Sequence, residues 1–406
     1  MVTVKQQYET YPYPERDPAD EDLRLITGSP SHPFEMDHFL WQGARDWSEP
    51  LRVLVAGGGT GDGLIQLATL LDMAGAKAEI TYIDLSTASR AVAEARAARR
   101  GLTTITFHTG SLLEAAQYGP FDYIDCCGVL HHLPDPCAGF AALREALAPG
   151  GGMGFMVYAP YGRSGVYPLQ DAFSALFDGL PPEQRLAQAK RIVAELPEGH
   201  PFVANRNLGD HHASDAGFYD LLLHGQDRAY SVAELLETLK DTGWRLADFT
   251  APAMYDLARL APVPEGMDKA RQMAVAEKLR GTIRMHVAYA VPSDAPDTIA
   301  KPSNRALVPH LRGVKRQALA KAVAQRRPLP LQLGQLKTEL HLPREAASVL
   351  AAIDGRRSLS EIGSAAKLDP LALGKVWAQL HDGLAPWGLL HYSGLLRQTG
   401  RTIKGI

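Results

Sequence analysis

Residues 51–84, LRVLVAGGGTGDGLIQLATLLDMAGAKAEITYID, decide the fold. An apolar run that ends at Ala56 leads into a cluster of glycines, a helical pattern of apolar residues follows, and a second apolar run ends on Asp84. Glycine lets the backbone turn sharply and approach a ligand, and a helix N-terminus presents N–H groups that lack partners within the helix. Because an acid at the end of the second strand suits the two hydroxyls of a ribose, the stretch predicts a nucleoside-type ligand across the ends of parallel strands.

The spacing of the glycines distinguishes two classes of nucleoside ligand. Gly57, Gly59 and Gly61 follow a G-x-G-x-G pattern, whereas sites for a dinucleotide pyrophosphate use G-x-G-x-x-G. A glycine-rich turn alone is weak evidence, since such turns also serve tight strand–helix packing, but here the strand and the helix on either side supply the expected context. The tighter spacing favours a ligand without a diphosphate.

A second motif lies downstream, in residues 121–152, FDYIDCCGVLHHLPDPCAGFAALREALAPGGG. Together with the glycine turn it resembles the class I S-adenosylmethionine-dependent methyltransferases, in the branch with the pattern FDxVxxxxVLHHLPDP followed by LxPGG. The resemblance extends over about residues 51–291. It implies an α/β fold with a Rossmann-like seven-stranded sheet, S-adenosyl-L-methionine as the cofactor, and methyl transfer as the activity.

The resemblance also implies which residues contact the cofactor. The glycine turn would enclose its methionine and ribose portions, the acid after the second strand would hold the ribose, and a segment after the third strand would flank the adenine. The start of the loop after the fourth strand would lie beside the methionine end. The implied cofactor residues are Gly57, Gly59, Gly61, Asp84, Leu85, Gly110, Ser111, Leu112, Cys127 and Gly128, with Tyr8 and Tyr13 from the N-terminal segment.

Two positions depart from the pattern of that family. Val55 and Ser111 stand where an acid is common, the first before the glycine turn and the second beside the adenine. Both substitutions keep the shape of the pocket but remove charge. They put in doubt how the cationic ammonium group of the cofactor is held, and they leave the prediction of the pocket itself intact.

The composition limits which cellular compartment and which classes of binding partner we expect. The chain of 406 residues is 46% hydrophobic and 21% charged, which is ordinary for a soluble protein with a buried core. No apolar run reaches the roughly 18 residues that span a bilayer. Because no apolar run follows Lys5, we do not expect the N-terminal residues to act as a signal peptide. Three cysteines within one motif offer no disulfide framework, so we expect a reducing, cytoplasmic location. The net charge of −3 favours neither nucleic acid nor membrane binding for the chain as a whole.

Four segments follow from the pattern along the chain. Residues 1–48 contain QYETYPYP and resemble N-terminal lids that fold over the cofactor; a strap on the core surface is the alternative. Residues 49–294 form the methyltransferase domain, with a helical insertion at about 160–229. Residues 295–340 form a basic linker and helix, and residues 341–406 a small, mainly α, winged-helix-like domain. The predicted strands of the sheet are 52–56, 79–84, 104–109, 123–127, 153–158, 245–249 and 282–291.

The catalytic candidates are His131, His211, His212 and Tyr161. A histidine near its usual pKa of about 6.5 can accept a proton from an amine or a hydroxyl. The alternative is that these residues only hold the loop and the insertion together through hydrogen bonds. Since the sulfonium is already an electrophile, methyl transfer needs one base or none.

A metal site is the other interpretation of the polar residues in the insertion. His211, His212 and His224 could ligate an ion together with two aspartates, Asp210 and Asp220. However, their spacing matches no strong zinc signature, and adjacent histidines seldom face one ion. We therefore expect no metal.

The C-terminal module suggests a binding role. Residues 301–337 contain nine Lys and Arg and no acid. A capping box from Ser358 to Glu361 and an Asp369-Pro370 pair open two helices. The module could contact a peptide or another protein, form a homodimer, or bind DNA. Its third helix carries only Lys375 as a full cation, which makes the helix poorly suited to recognise a DNA groove, so we favour protein contact.

Two functions remain open at this point. The first is an enzyme that methylates an N or O nucleophile of a protein, a peptide or a modest-sized metabolite. The second is a cofactor-sensing regulatory protein whose C-terminal module contacts nucleic acid or a partner.

Overall fold

A computed structural model describes residues 3–28 and 30–401, and its central element is a seven-stranded sheet in the order β3-β2-β1-β4-β5-β7-β6. The first five strands pair in parallel, whereas β7 runs antiparallel to both β5 and β6. This arrangement confirms the Rossmann-like methyltransferase sheet. The strands are β1 Leu51–Ala56, β2 Ala78–Asp84, β3 Ile105–Thr109, β4 Phe121–Cys127, β5 Leu147–Tyr158, β6 Trp244–Phe249 and β7 Met285–Pro292.

Helices cover both faces of the sheet, which is why its central strands are almost continuously apolar. The helix after the glycine turn begins where Gly61 adopts a φ of 98° and ends at Gly75, with a φ of 70°. None of the helices in the described residues is both long and apolar enough to cross a bilayer. Up to β7 the helices are α1 Val4–Thr10, α2 Pro33–Leu40, α3 Asp62–Ala74, α4 Thr87–Arg99, α5 Pro136–Glu145, α6 Val166–Leu176, α7 Pro182–Ala194, α8 Pro201–Ala204, α9 Asp210–Ala213, α10 Asp215–Leu222, α11 Val232–Asp241 and α12 Lys269–Arg280.

The insertion between β5 and β6 folds as helices α6 to α10 around a core of its own. Aromatic residues dominate that core, among them Phe173, Phe202 and Phe218, all buried. Because its first and last helices pack on each other, the insertion can hold side chains over the end of β5.

Helix α2 lies in a part of the chain for which the sequence indicated no long periodic segment. All eight of its residues are buried, including Glu35, Asp37 and His38. It packs against β7 on one side and against a strand of the C-terminal region on the other. A helix buried on every side has no polar face, so no amphipathic period appears in its sequence.

The C-terminal region is one unit with a shared core. The segment predicted as a basic linker and helix contains strand β8, helix α13 and a hairpin, β9–β10, that the sequence analysis did not predict. β8 pairs antiparallel with β11, and the winged-helix resemblance stays a prediction. The elements are β8 Pro309–Leu311, α13 Arg316–Ala324, β9 Leu329–Leu333, β10 Leu336–Leu340, α14 Ala346–Ala352, α15 Leu359–Ala365, α16 Pro370–Leu384, β11 Leu390–Tyr392 and α17 Leu395–Thr399.

The C-terminal unit docks on the sheet domain through a buried contact that we call the α2 seam, formed by α2, β8 and β11. At its centre the Asp37 carboxylate accepts four hydrogen bonds, which come from both units. The donors are the backbone N–H of Arg45 at 3.0 Å, Trp47 Nε1 at 2.9 Å, Ser393 Oγ at 2.7 Å and the backbone N–H of Gly394 at 3.1 Å. The two units are therefore joined by specific polar contacts in addition to apolar packing.

Candidate active site

The glycine turn after β1 has a backbone that only glycine adopts readily. Gly57, Gly59 and Gly61 have φ values of 68°, 52° and 98°, in the left-handed region. A Cβ at Gly57 would lie 2.6 Å from the Val129 side chain, and one at Gly59 would lie 3.0 Å from the carbonyl oxygen of Tyr13. At the strand ends that face the N-terminal segment, these three glycines therefore present backbone atoms instead of side chains.

Asp84 links the turn to the next strand. Its Oδ2 accepts the Gly59 N–H at 2.8 Å and its Oδ1 accepts the Ser86 N–H at 2.8 Å. Burial raises the pKa of this carboxyl from its usual value, although backbone donors oppose the shift. The neighbouring Leu85 is 40% exposed. An oriented carboxylate beside a glycine turn fits the two hydroxyls of a ribose.

The other predicted cofactor segments lie at the same edge of the sheet. The Gly110 N–H donates to the Asp84 carbonyl at 2.9 Å, and Ser111 Oγ accepts the N–H of Leu113 at 3.2 Å. Leu112 packs into the core below. The contact of these residues with the adenine stays a prediction.

Cys127 ends β4 and Gly128 begins the loop after it, across from the glycine turn. Gly128 has a φ of 81° and its N–H donates to the Met156 carbonyl at 3.1 Å. The loop continues to Val129, the residue that a Cβ at Gly57 would strike. The two loops therefore approach as closely as glycine permits.

The N-terminal segment crosses this edge. The Glu9 carboxylate accepts the Thr87 N–H at 2.6 Å, at the start of α4, and the Ser86 hydroxyl donates to the Tyr8 carbonyl at 3.1 Å. Thr60 Oγ1 donates to the Pro14 carbonyl at 2.6 Å. The segment thus contacts both the glycine turn and the residues that follow Asp84.

A group of buried and half-buried polar side chains lies beside these loops, and we call it the polar cluster. It combines the N-terminal segment, the loop after β4, the end of β5 and the insertion. Its members are Tyr8, His131, His132, Tyr158, Arg163, Asp220, His224 and Asp227.

Asp220 is the centre of the polar cluster. Its two oxygens accept the Tyr8 hydroxyl at 2.9 Å and the Tyr158 hydroxyl at 3.2 Å. Burial raises the pKa of Asp220. The Arg163 guanidinium lies 3.6 Å from the centre of the Tyr158 ring and donates to Asp227 at 3.0 Å. One carboxylate therefore joins the N-terminal segment to the end of β5, and a second neutralises the arginine.

Backbone contacts fix the tautomers of two stacked histidines. His132 Nδ1 lies 3.0 Å from the Gln226 carbonyl, which can only accept, so this nitrogen donates and Nε2 keeps its lone pair. His224 Nδ1 accepts the Gln226 N–H at 3.1 Å, so in the neutral ring Nε2 carries the proton, 3.3 Å from the Tyr8 oxygen. Burial lowers the pKa of His224 well below its usual value. His132 therefore presents the proton-accepting nitrogen of the pair.

His131 is 1% exposed, and neither ring nitrogen has a hydrogen-bond partner. Its ring lies 4.0 Å from that of Tyr158 and 4.1 Å from that of His132. Burial, with smaller contributions from His132, Arg163 and His224, lowers the pKa of His131 well below its usual value. It is therefore a neutral ring in this setting.

The polar cluster also brings possible metal ligands together. The donor atoms of His132, Asp220 and His224 lie within 4.8 Å of one another. However, the imidazoles of His132 and His224 are stacked at 3.8 Å with planes 19° apart. Imidazole lone pairs lie in the ring plane, so two nearly parallel stacked rings cannot both direct one at the same ion. The positive Arg163 in the same cluster opposes a cation further, and the expectation of no metal stays a prediction.

Three catalytic candidates from the sequence lie outside the polar cluster. The rings of His211 and His212 contact each other at 3.8 Å, and His211 also contacts Phe202. Tyr161 is in a short 3₁₀ turn, where burial and then Glu277 and Glu234 raise its pKa. Their catalytic roles stay predictions that the geometry does not support.

From the sequence, Asp220 was considered only as a possible metal ligand, and His132 and Tyr158 were not among the catalytic candidates. A signal was present for Tyr158, since it is the last residue of a strand at the carboxyl edge. For Asp220, 62 residues further along, no local signal indicates a contact with Tyr158.

Comparisons with known proteins agree with this geometry. Residues 54–153 match the family model described as a methyltransferase domain. An uncharacterized protein of Synechococcus sp. is 36% identical over 205 residues, 49% of this chain and 48% of that protein. A ubiquinone biosynthesis O-methyltransferase of Aromatoleum aromaticum is 38% identical over 80 residues, 20% of this chain and 34% of that enzyme. The chain thus spans about half the length, or less, of these curated relatives.

A solved structure is similar over most of the chain. PKMT2 from Rickettsia typhi, also solved in complex with AdoHcy, superposes with a TM-score of 0.61 at 14% identity, covering 91% of this chain and 77% of that one. At this identity the likeness shows the fold alone. The family match identifies a methyltransferase domain in residues 54–153, and the sheet around it has the same fold as that solved structure.

Proposed function

We propose that the protein transfers the methyl group of S-adenosylmethionine to a nitrogen or oxygen nucleophile bound at the polar cluster. The acceptor belongs to a protein, a peptide or a modest-sized metabolite. The observation that carries the proposal is the position of the cluster: buried proton acceptors lie at the same strand ends as the glycine turn and Asp84. The O-methyltransferase relative supports an oxygen acceptor, over the 80 residues that it shares.

We assign the residues of the polar cluster separate roles in methyl transfer. The bound cofactor supplies an electrophilic methyl group, and attack by the acceptor breaks the bond from that carbon to sulfur. His132 Nε2 receives the proton that the acceptor loses, while the Gln226 carbonyl holds the ring in the required tautomer. Asp220 keeps Tyr8 and Tyr158 in place.

In this proposal the N-terminal segment acts as the lid. Tyr8 reaches the polar cluster while Glu9 holds the start of α4, so the segment covers both halves of the site. Covering the site would exclude water from a reactive sulfonium and align the acceptor behind the methyl group.

Calorimetry with S-adenosylmethionine tests the cofactor site. We expect one molecule per chain, and we expect Asp84→Ala to weaken binding by about 30-fold, which corresponds to about 2 kcal/mol for a charged hydrogen-bonding group. Asp72→Ala is the matched control, since Asp72 is an exposed aspartate of α3 away from the turn. Equal affinities for the two variants would refute the ribose assignment.

Incubation with methyl-tritiated cofactor and a cell lysate tests the transfer itself. Label should pass from the cofactor to lysate material, and separation by size then distinguishes protein from small-molecule acceptors. Cofactor binding without any label transfer in all fractions would contradict the enzymatic proposal.

A further inference from the structure

Charge is segregated along this chain. Residues 301–406 carry 17 Lys and Arg against 6 Asp and Glu, a net charge of +11, whereas residues 1–300 carry 25 against 39, a net charge of −14. The modest net charge of −3 for the whole chain conceals this contrast. A domain with such an excess of one sign attracts partners of the opposite sign.

Some cations of the basic segment are already used in the fold. Lys301 pairs with Asp297 at 2.7 Å, Arg312 pairs with Glu35 in the α2 seam, and Arg316 donates to the Ile353 carbonyl at 2.8 Å. These three cannot bind a partner without breaking a contact.

Arg305 is half-buried, and the five cations that remain form a surface that we call the basic ribbon. It follows α13 and the β9–β10 hairpin, and its members are exposed and have no ion pair within residues 3–28 and 30–401. They are Lys315, Lys321, Arg326, Arg327 and Lys337. Unpaired cations retain their full attraction for a ligand.

The hairpin brings the ribbon to the insertion. At its tip, Gln335 Nε2 donates to the Arg206 carbonyl at 2.9 Å. The preceding Asn205 donates to the carbonyls of Gly162 and Ser164, each at 3.1 Å. Between those two residues is Arg163 of the polar cluster. A chain segment bound along the ribbon would therefore end beside the insertion.

We propose that the basic ribbon binds an acidic segment of a partner polypeptide. Charge complementarity carries the proposal, and the composition of the surface favours polypeptide over nucleic acid. No Phe, Tyr or Trp occurs between residues 301 and 376, so the ribbon has no platform on which bases could stack. Helix α13 contains only Arg316 and Lys321 as cations, and the first is engaged, so the helix is poorly equipped to read a groove.

Binding of two labelled probes to the full chain tests the proposal. One is a glutamate homopolymer of about 20 residues, and the other is a single-stranded RNA of about 20 nucleotides with the same number of charges. Both dissociation constants are measured by fluorescence anisotropy at about 0.15 M salt. At this ionic strength the electrostatic attraction between surface charges extends over about 8 Å. We expect the acidic peptide to bind more tightly than the RNA.

A pair of variants that remove equal charge locates the surface. Lys321→Gln, Arg326→Gln and Arg327→Gln together remove three cations from the ribbon. Lys269→Gln, Arg271→Gln and Lys278→Gln together remove three exposed cations from α12 in the sheet domain. We expect the ribbon variant to raise the dissociation constant of the acidic peptide about tenfold and the α12 variant less than about twofold.

Circular dichroism checks that both variants fold. Equal losses in the two variants would overturn the proposal, since they would show attraction by net charge alone. Tighter binding of the RNA would overturn it in favour of nucleic acid, and no peptide binding by the wild type would overturn it outright. Because no methyl transfer is measured, these results are independent of the outcome for the active site.

Discussion

The described part of the chain contains two clusters of buried histidines, one in the polar cluster at the strand ends and one in the α2 seam. In both, burial lowers the pKa of the imidazoles from its usual value, as seen for His131 and His224 in the first and for His38 and His310 in the second. Both also contain ring nitrogens without hydrogen-bond partners. Burial and the direction of the pKa shift therefore do not tell a catalytic site from a structural one.

Position in the fold separates the two clusters. The first lies beyond the carboxyl ends of β4 and β5, next to the glycine turn, where open parallel sheets bind their ligands. In the second, His38 packs between Phe39, His391 and Tyr392, at the contact of two folded units. A shifted histidine pKa therefore indicates a functional site only when the histidine also lies at the ligand-binding edge of the sheet.

The largest effect that we expect is on the rate of methyl transfer, and it tests whether the polar cluster is catalytic. Asp220→Asn keeps the size of the side chain and one acceptor, but it removes the charge that orders Tyr8 and Tyr158. We expect the rate of S-adenosylhomocysteine formation to fall by about 10³-fold, within the range for removal of proton-transfer support. Initial rates with the lysate acceptor measure it.

The affinity for S-adenosylmethionine is the control in this experiment. Within the described residues, the hydrogen bonds of Asp220 go to Tyr8 and Tyr158 and not to the glycine turn, so calorimetry should give a value within about twofold of the wild type. A variant with unchanged turnover would place Asp220 among the structural residues, together with those of the seam.

Asp37→Ala should have the next largest effect, on stability. The substitution leaves four buried or half-buried donors without their acceptor, two of them on the C-terminal unit. We expect a loss of about 3 kcal/mol in the free energy of unfolding. Urea denaturation measures it, and affinity for S-adenosylmethionine should persist in the folded fraction.

Asp72→Ala again provides the comparison, because an exposed aspartate on a helix should change stability by less than about 0.5 kcal/mol. Equal stabilities of the two variants would mean that the seam contributes nothing specific to docking.

The same contrast explains what could be predicted from the sequence. The glycine turn, Asp84 and the strands around them are encoded by local patterns, since a turn, a helix start and a strand end each need particular neighbours. The polar cluster joins Tyr8, His132 and Asp220, which are distant in sequence. No local pattern specifies such a meeting. Helix α2 was missed for another reason, because burial on all sides removes the polar face that identifies a helix.

The smallest expected effect concerns the pH dependence of stability. Burial lowers the pKa of His38 to about 3 and that of His310 to about 4, whereas a histidine in an unfolded chain has a pKa of about 6.5. Below that value the unfolded chain binds protons that the folded chain does not, so stability falls as the pH falls, by up to about 1.4 kcal/mol per pH unit for each histidine. Asp37 acts in the opposite direction.

The sign for Asp37 follows from its raised pKa. Burial brings it to about 6, so between about pH 6 and pH 4 the folded state binds the extra proton and gains stability. One carboxyl cannot offset two histidines, and the net result is an acid-sensitive seam.

His38→Phe keeps a ring of similar size and removes one titrating group. From about pH 6.5 to about pH 5 this variant should lose about 2 kcal/mol less than the wild type. Parallel stability curves for the two proteins would show that His38 is not held neutral in the seam.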